Sequence, residues 1–393
     1  MSKHSNNAQI DISGVELPPL GLYIHIPWCV KKCPYCDFNS HQAEKTLPEK
    51  EYVAALAADL QAESASAQGR KLSSIFIGGG TPSLFTDRAI GQILEHAERT
   101  LGFESDIEIT LEANPGTFEQ ARFRGFSNAG VNRLSIGIQS FQDRQLQLLG
   151  RIHGRDEGLR AVEMARRAGF NNINIDLMHG LPEQNLEGAL ADLEQALAFE
   201  PEHLSWYQLT IEQNTEFFSR PPTLPVEDTL IDIQDAGQAR LSSAGFQQYE
   251  VSAYSRPNKA SQHNLNYWTF GDYIGIGAGA HGKLTLLEDK RYQVVRRRKT
   301  RLPRHYLNAI NTVEDEPVEP DKIKLEFLMN VLRLNKGVEA TLFSARTGLN
   351  LSAIAPQWQA MQAKGLMTEG QQRIQASPLG LRFLNSLLEG FLE

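Results

Sequence analysis

An α/β fold built on a parallel sheet, followed by a separate helical unit, is what this sequence predicts, and three observations predict it. Six short apolar runs alternate with helix-period stretches between Leu20 and Ile211, the pattern of consecutive β-α units. Glycine-rich or polar residues recur at the carboxyl ends of five of those runs, where α/β barrels place their sites. From about Lys322 the alternation gives way to helical periodicity. A chain of 393 residues has room for two or three such units.

Residues 1–19 are polar, lack the apolar core of a signal peptide, and read as a flexible N-terminal arm. Residues 20–215 read as the β-α core, with strands expected at residues 21–26, 73–77, 106–111, 132–138, 171–177 and 203–211. Among the helices between them, the clearest carries Leu186, Leu190, Leu193 and Leu197, whose spacings of three and four put all four on one face. Ile90, Ile93, Leu94, Ala97 and Leu101 mark another. A doubly wound sheet and a full or partial barrel both satisfy six units in a row. Residues 216–320 are mixed. They open on the loop Arg220-Pro-Pro-Thr-Leu-Pro225, continue into a helix near residues 228–244, and contain Tyr249-Glu-Val-Ser-Ala-Tyr254, His263-Asn-Leu-Asn-Tyr-Trp268 and the glycine-rich Tyr273-Ile-Gly-Ile-Gly-Ala-Gly-Ala-His-Gly282. Residues 321–393 read as helices over 326–334, 342–347, 351–364 and 379–392, with a hairpin over 366–375. That order is winged-helix-like. Helix-turn-helix modules often bind DNA, but this stretch is not notably basic, which points to packing or a protein partner.

A net charge of −8 argues against general nucleic-acid binding. No apolar run approaches the ~20 residues needed to cross a membrane. All three cysteines fall in one loop, Cys29-Val-Lys-Lys-Cys33-Pro-Tyr-Cys36. Thiols gathered like this without a secretion signal indicate the cytosol. An odd number cannot all pair within the chain, and neighbours in one loop make poor long-range staples, so the loop reads as a metal site. A closed zinc site needs a fourth ligand, which His25 or His41 could supply. An iron–sulfur cluster takes thiolates, and three of them on four irons leave one iron open. Three inert reduced cysteines are the remaining reading.

Other residues gather chemistry at the strand ends. Gly78-Gly79-Gly80-Thr81-Pro82 follows the second strand; it has no phosphate-loop lysine and is not G-x-G-x-x-G, but its glycines let a ligand approach the backbone. Glu112 ends the third strand, Gln139 the fourth, and Asp176 lies near the end of the fifth. Taken singly, each reads as a helix cap or a solvated charge.

The run C-x3-C-x-aromatic-C, with Tyr35 at the aromatic position, resembles the signature of the radical S-adenosylmethionine (SAM) superfamily. The resemblance implies a partial (β/α)6 barrel, open on one side. It implies a 4Fe-4S cluster on Cys29, Cys33 and Cys36, and SAM bound to the open iron and cleavable to a 5′-deoxyadenosyl radical. It places Tyr35 against the adenine and the run containing Gly79, Gly80 and Thr81 on the methionyl amino group. Tyr23, Glu112, Gln139, Arg151 and Asp176 match SAM-contacting positions of the coproporphyrinogen-dehydrogenase-like branch, where Arg151 could pair a carboxylate bidentately.

The oxygen-independent coproporphyrinogen III dehydrogenases of that branch carry a further cysteine two residues after the third; here that position is Phe38. The segment before Tyr23 is also short beside theirs. The run Ile-Pro-Trp-Cys-Val-Lys-Lys-Cys-Pro-Tyr-Cys-Asp-Phe-Asn-Ser resembles instead the sister group, radical SAM haem chaperones of the HemW type. That resemblance implies haem as a ligand, a haem-accepting protein, a membrane-associated one included, and an electron donor for the cluster. Porphyrinogen decarboxylation is the alternative, and a radical enzyme acting on another substrate a third; no catalytic residue is assigned. In that group the segment from His263 to Trp268 is associated with haem. Imidazole is a common axial ligand and Tyr and Trp offer flat apolar surface, so His263 is the haem candidate, with His281 second; a hydrogen-bonded core histidine is the plain reading of either. The basic run Arg296-Arg-Arg-Lys-Thr-Arg301 reads as a solvated strand or loop, or as a partner for propionates or an acceptor.

Overall fold

The computed structural model describes residues 17–44, 46–116, 120–288, 291–308 and 313–392. Residues 1–16, most of the expected N-terminal arm, lie outside the described residues. Strands β1 (Leu20–Ile26), β2 (Leu72–Gly79), β3 (Phe103–Ala113), β4 (Arg133–Gln139), β5 (Ile173–His179) and β6 (His203–Gln208) answer the six expected ones. They pair in parallel and in sequence order, with Leu22 opposite Ile75, Ile75 opposite Ile109, Leu111 opposite Leu134, Ile136 opposite Ile175 and Ile175 opposite Leu204.

Strand alternation divides the residues of these strands into two sets. Leu20, Leu22, Ile24 and Ile26 of β1, with Ile75, Ile77, Ile109, Leu111, Leu134, Ile136, Ile173 and Ile175, enter the main hydrophobic core. Helices α1 (Glu49–Glu63), α2 (Asp87–Leu101), α4 (Arg155–Arg167) and α5 (Leu186–Leu197) cover that face; α3 (Gln120–Asn128) precedes α4. The intervening residues are polar and bond one another inside the barrel. Asn174 donates to Ser135 and Asp176, Ser135 donates to Asp176, and His203 bonds Asn174. Helix α2 buries Ile90, Ile93, Leu94 and Ala97 as its spacing requires. On α5 the expected leucine face meets the core at Leu190, Leu193 and Leu197, joined by Ala189 and Ala196, while Leu186, the first helical residue, is exposed.

The main core runs past residue 215, the expected end of the barrel unit. Helix α6 (Glu227–Ser243) contributes Ile233 and Leu241 to it. Its Gly237 lies so close to the Trp206 ring that an added Cβ would come within 2.0 Å. The sheet is also wider than six strands. Strands β7 (Gln247–Glu250) and β8 (Ala253–Ser255) add antiparallel beyond β6, and β9 (Asp272–Ile276) pairs in parallel with β1. Strands β10 (His281–Glu288), β11 (Arg291–Arg298) and β12 (Glu314–Pro317) continue antiparallel. The order is β12-β11-β10-β9-β1-β2-β3-β4-β5-β6-β8-β7. The six-strand partial barrel thus has a seventh parallel strand, drawn from the glycine-rich segment. Gly275 is required there, since a Cβ would meet the His281 carbonyl at 2.0 Å.

Helix α7 (Gln262–Trp268) lies against β2 and α8 (Pro320–Val331). A second core holds Ile323, Phe327, Leu328 and Val331 of α8, Phe343 of α9 (Thr341–Thr347), Trp358 and Met361 of α10 (Ala355–Ala363), and Phe270, Tyr292 and Val294. Of the expected hairpin, one antiparallel bridge joins Met367 to Ala376, and its second arm, β14 (Arg373–Ile374), pairs with the distant β13 (Val338–Glu339) instead. The expected last helix is split at Phe383 into α11 (Pro378–Arg382) and α12 (Leu384–Glu389).

Candidate functional site

A cavity of about 530 Å³ opens at the carboxyl ends of the parallel strands, roofed by the cysteine loop. The loop leaves β1 at Pro27 and is pinned at both feet. Trp28 and Cys29 pair with His41 and Gln42, and the Trp28 carbonyl accepts from Thr81 N–H. Gly80 N–H donates to the Ile26 carbonyl, which locks the glycine run under the loop. Replacing Gly80 by alanine puts a Cβ 2.5 Å from the Trp28 carbonyl oxygen and 2.9 Å from that of Ile26. Backbone cannot yield as a side chain does, so Gly80→Ala is expected to cost about 1–3 kcal/mol. Urea unfolding beside Gly91→Ala, whose Cβ meets only Ala129 at 3.6 Å, checks this; equal midpoints would refute it.

Cys29, Cys33 and Cys36 all face this cavity. The Arg151 guanidinium approaches the Cys33 Sγ at 3.6 Å and donates to the Asn114 side chain at 2.7 Å and the Gly137 carbonyl at 2.8 Å. Burial pushes the Cys29 and Cys36 thiols up. Among the described residues no group of three His, Cys, Asp or Glu side chains is drawn tightly enough for one metal ion. Three thiols facing one cavity are the donor set of an iron–sulfur cluster. Neither histidine considered for zinc lines the thiol cavity. His25 bonds the Asn39 carbonyl and the Tyr23 hydroxyl and faces a neighbouring cavity, and His41 lines neither cavity.

Tyr35, Gly79, Gly80, Thr81, Glu112, Gln139, Arg151 and Asp176 all line the same cavity as the thiols. Glu112 accepts from Gly79 N–H at 3.1 Å. Burial, then the nearby Asp176, pushes its carboxyl up to about 8. Asp176 is satisfied by Ser135 and Asn174. Gln139 holds a left-handed backbone at φ 64°, uncommon for a non-glycine residue and a mark of strain where function needs it. Its Oε1 and the Arg151 Nε are buried without partners. Such orphans in a cavity wall await a polar ligand, and with the glycine cradle they fit a ligand carrying ammonium, carboxylate and hydroxyl groups.

Two expected residues lie elsewhere. Tyr23 faces a second cavity, of about 650 Å³, which shares Phe38, Gly79 and Glu112 with the first. His263 lines neither. It is 3% exposed, stacks on Phe76 with ring centroids 4.8 Å apart, and contacts Ser74 at 3.5 Å. Burial, then Arg133, pushes its imidazole down to about 3. The fold therefore gives it the surroundings of a core histidine. Its neighbours on α7 do reach the cavities, Asn264 and Trp268 the first and Tyr267 the second. Sequence reading also missed Asn114, Ser135, Ser205 and Tyr207 in the first cavity. For Ser135, Ser205 and Tyr207 the signal is the alternation within each strand, which puts the polar residues inside the barrel; Asn114 directly follows β3.

The chain matches the family model described as the Radical SAM superfamily over residues 23–196 and that of the HemN C-terminal domain over residues 318–383. It is 52% identical to heme chaperone HemW of Escherichia coli over 96% of this chain and 99% of that protein. It is 50% identical to heme chaperone HemW of Haemophilus influenzae over the same shares. Radical S-adenosyl methionine domain-containing protein 1, mitochondrial, of Bos taurus is 33% identical over 97% of this chain and 90% of that one. The solved structure of coproporphyrinogen III oxidase (HemN) from E. coli superposes with a TM-score of 0.79 at 21% identity, covering 95% of this chain and 90% of that one; it shares the fold. With identity at this level across nearly its whole length, the chain belongs to the heme chaperone HemW family of radical SAM proteins.

Proposed function

We propose that this protein binds haem and delivers it to an acceptor protein, and that its barrel holds a 4Fe-4S cluster on Cys29, Cys33 and Cys36 with SAM beside it. The near full-length identity to relatives named heme chaperones carries the reading. Within the first cavity, the Gly79–Thr81 backbone and Glu112 would hold the ammonium group of SAM. Arg151 would hold its carboxylate, Gln139 and Asp176 its ribose hydroxyls, and Tyr35 its adenine. Tyr23 reaches the ligand only from the second cavity. When bound, the cluster supplies single-electron chemistry at the iron that three thiolates leave open, and an electron donor must serve it. The acceptor is a haem-requiring protein, a membrane-associated one included, and the gathered thiols favour a cytosolic setting. Among the described residues no helix is long and apolar enough to cross a membrane.

Phe38 weighs against porphyrinogen decarboxylation. It stands 60% exposed on the rim shared by both cavities, where a thiol would be needed to match the dehydrogenases. The test is anaerobic reconstitution of the cluster, then addition of SAM and reductant with either haem and an apo-haemoprotein or coproporphyrinogen III. Haem transfer without protoporphyrinogen is expected; protoporphyrinogen formation would overturn the proposal.

A further inference from the structure

The second cavity has no assigned occupant, and its walls are specific. His281 opens β10 directly opposite Arg298 of β11. The loop after β11 brings Arg301, whose carbonyl accepts from Asn39 of the cysteine loop at 2.9 Å. Phe38, Tyr267 and Tyr23 supply aromatic surface. About 650 Å³ lies within the ~300–1,000 Å³ typical of cofactor-sized ligands. The first cavity, at about 530 Å³, already faces the thiols and the polar cradle of a smaller ligand.

We infer that haem seats in this second cavity, with His281 on the iron and Arg298 and Arg301 on the propionates. The inference rests on the haem-binding function proposed above. Of the histidines lining the cavity, His25 has both ring nitrogens engaged, whereas His281 is exposed and its ring forms no hydrogen bond among the described residues. Arg298 meets Glu314 and Glu316 at 3.5 Å each in exposed pairs. Such pairs contribute little, and a propionate can displace them. Arg296, Arg297 and Lys299, by contrast, are committed to Glu326, Glu63, Asp315 and Asp59, which leaves Arg298 and Arg301 as the cations of the basic run that serve a ligand. Phe38 on the shared rim gives the porphyrin a flat apolar contact where the dehydrogenases have cysteine. The segment from His263 to Trp268 would then serve haem through Tyr267, with His263 supporting from beneath.

The test is titration of the full-length protein with ferric haem, read by absorption and electron paramagnetic resonance. The wild type is expected to show an imidazole-ligated spectrum. His281→Ala is expected to lose it, to bind at least about tenfold more weakly, and to regain the spectrum when imidazole is added. Arg298→Ala/Arg301→Ala is expected to weaken haem binding about tenfold but to leave binding of haem dimethyl ester, which lacks the carboxylates, unchanged. All three residues are exposed, and cluster reconstitution in each variant checks folding. His281→Ala with wild-type spectrum and affinity would overturn the site while leaving the haem function standing. A wild type that takes up no haem would overturn both.

Discussion

Asp272→Asn is expected to destabilise the ligand-free protein by about 3–5 kcal/mol, the cost of stranding buried cations when their shared anion is removed. Asp272 is fully buried at the start of β9 and answers two cations, Lys283 Nζ at 2.9 Å and Arg70 Nη1 at 2.7 Å. It also accepts from the Thr285 N–H and hydroxyl. Burial alone would push its carboxyl up, but Lys283, Arg70 and these hydrogen bonds together hold it below the ordinary range. Lys283 further donates to the Phe270 and Gly271 carbonyls and sits 4.1 Å over the Phe270 ring. Phe270 belongs to the second core, while Ile274 and Ile276 of β9 belong to the first. The ion cluster therefore stitches the two cores at the strand that widens the barrel. Lys283→Met should cost less, because Arg70 still answers Asp272. The double variant Asp272→Asn/Lys283→Met should recover much of the loss, since nothing charged is left unpaired at Lys283. Urea unfolding of the four proteins decides this; an Asp272→Asn midpoint indistinguishable from wild type would refute it.

Part of this architecture could be read in the chain, and the residues show which part. The six parallel strands from β1 to β6 carry Ile and Leu between helix-period stretches, a local signal, so all six were placed. The thiol loop and the strand-end residues Gly79, Glu112, Gln139 and Asp176 were legible because residue type and position coincide. Strand β9 was not, because Gly275 interrupts its apolar pattern while close contact with the His281 backbone is what requires it. The burial of His263 was not legible either. On a helix as short as α7, residues 263 and 267 share one side and 264 and 268 another, and only tertiary packing says which side meets a cavity. The basic run read as a solvated strand or loop, or a partner surface, because the acids that occupy Arg296, Arg297 and Lys299, namely Glu326, Glu63, Asp315 and Asp59, come from distant elements.

SAM binding is expected to tighten as pH rises to about 8, and Glu112→Gln to remove that dependence. Glu112 is flanked in the first cavity by Asp176, which raises its carboxyl, and by the Gly79 N–H, which opposes the rise; Tyr207 and Arg151 share the wall. Below about 8 the free protein keeps Glu112 protonated. A cationic ligand favours the carboxylate, so binding releases a proton, and Kd should fall by up to about tenfold per pH unit until the group is ionised. Glu112→Gln should weaken SAM binding above pH 8 by roughly 10- to 100-fold, the loss of a charged hydrogen bond, and flatten the profile. For stability the sign is opposite. A carboxyl raised in the folded state contributes fully below its unfolded value and loses that contribution as pH climbs through the folded one. The ligand-free wild type should thus lose up to a few kcal/mol between pH 4.5 and about 8, and Glu112→Gln should unfold later than wild type above pH 8. A substitution that strengthens the empty protein while weakening its ligand shows that the acid is held there for the ligand and not for the fold. Calorimetric titration and thermal unfolding at pH 6, 7, 8 and 9 test both halves; a wild-type Kd independent of pH, or a Glu112→Gln protein less stable than wild type at pH 9, would sink the argument.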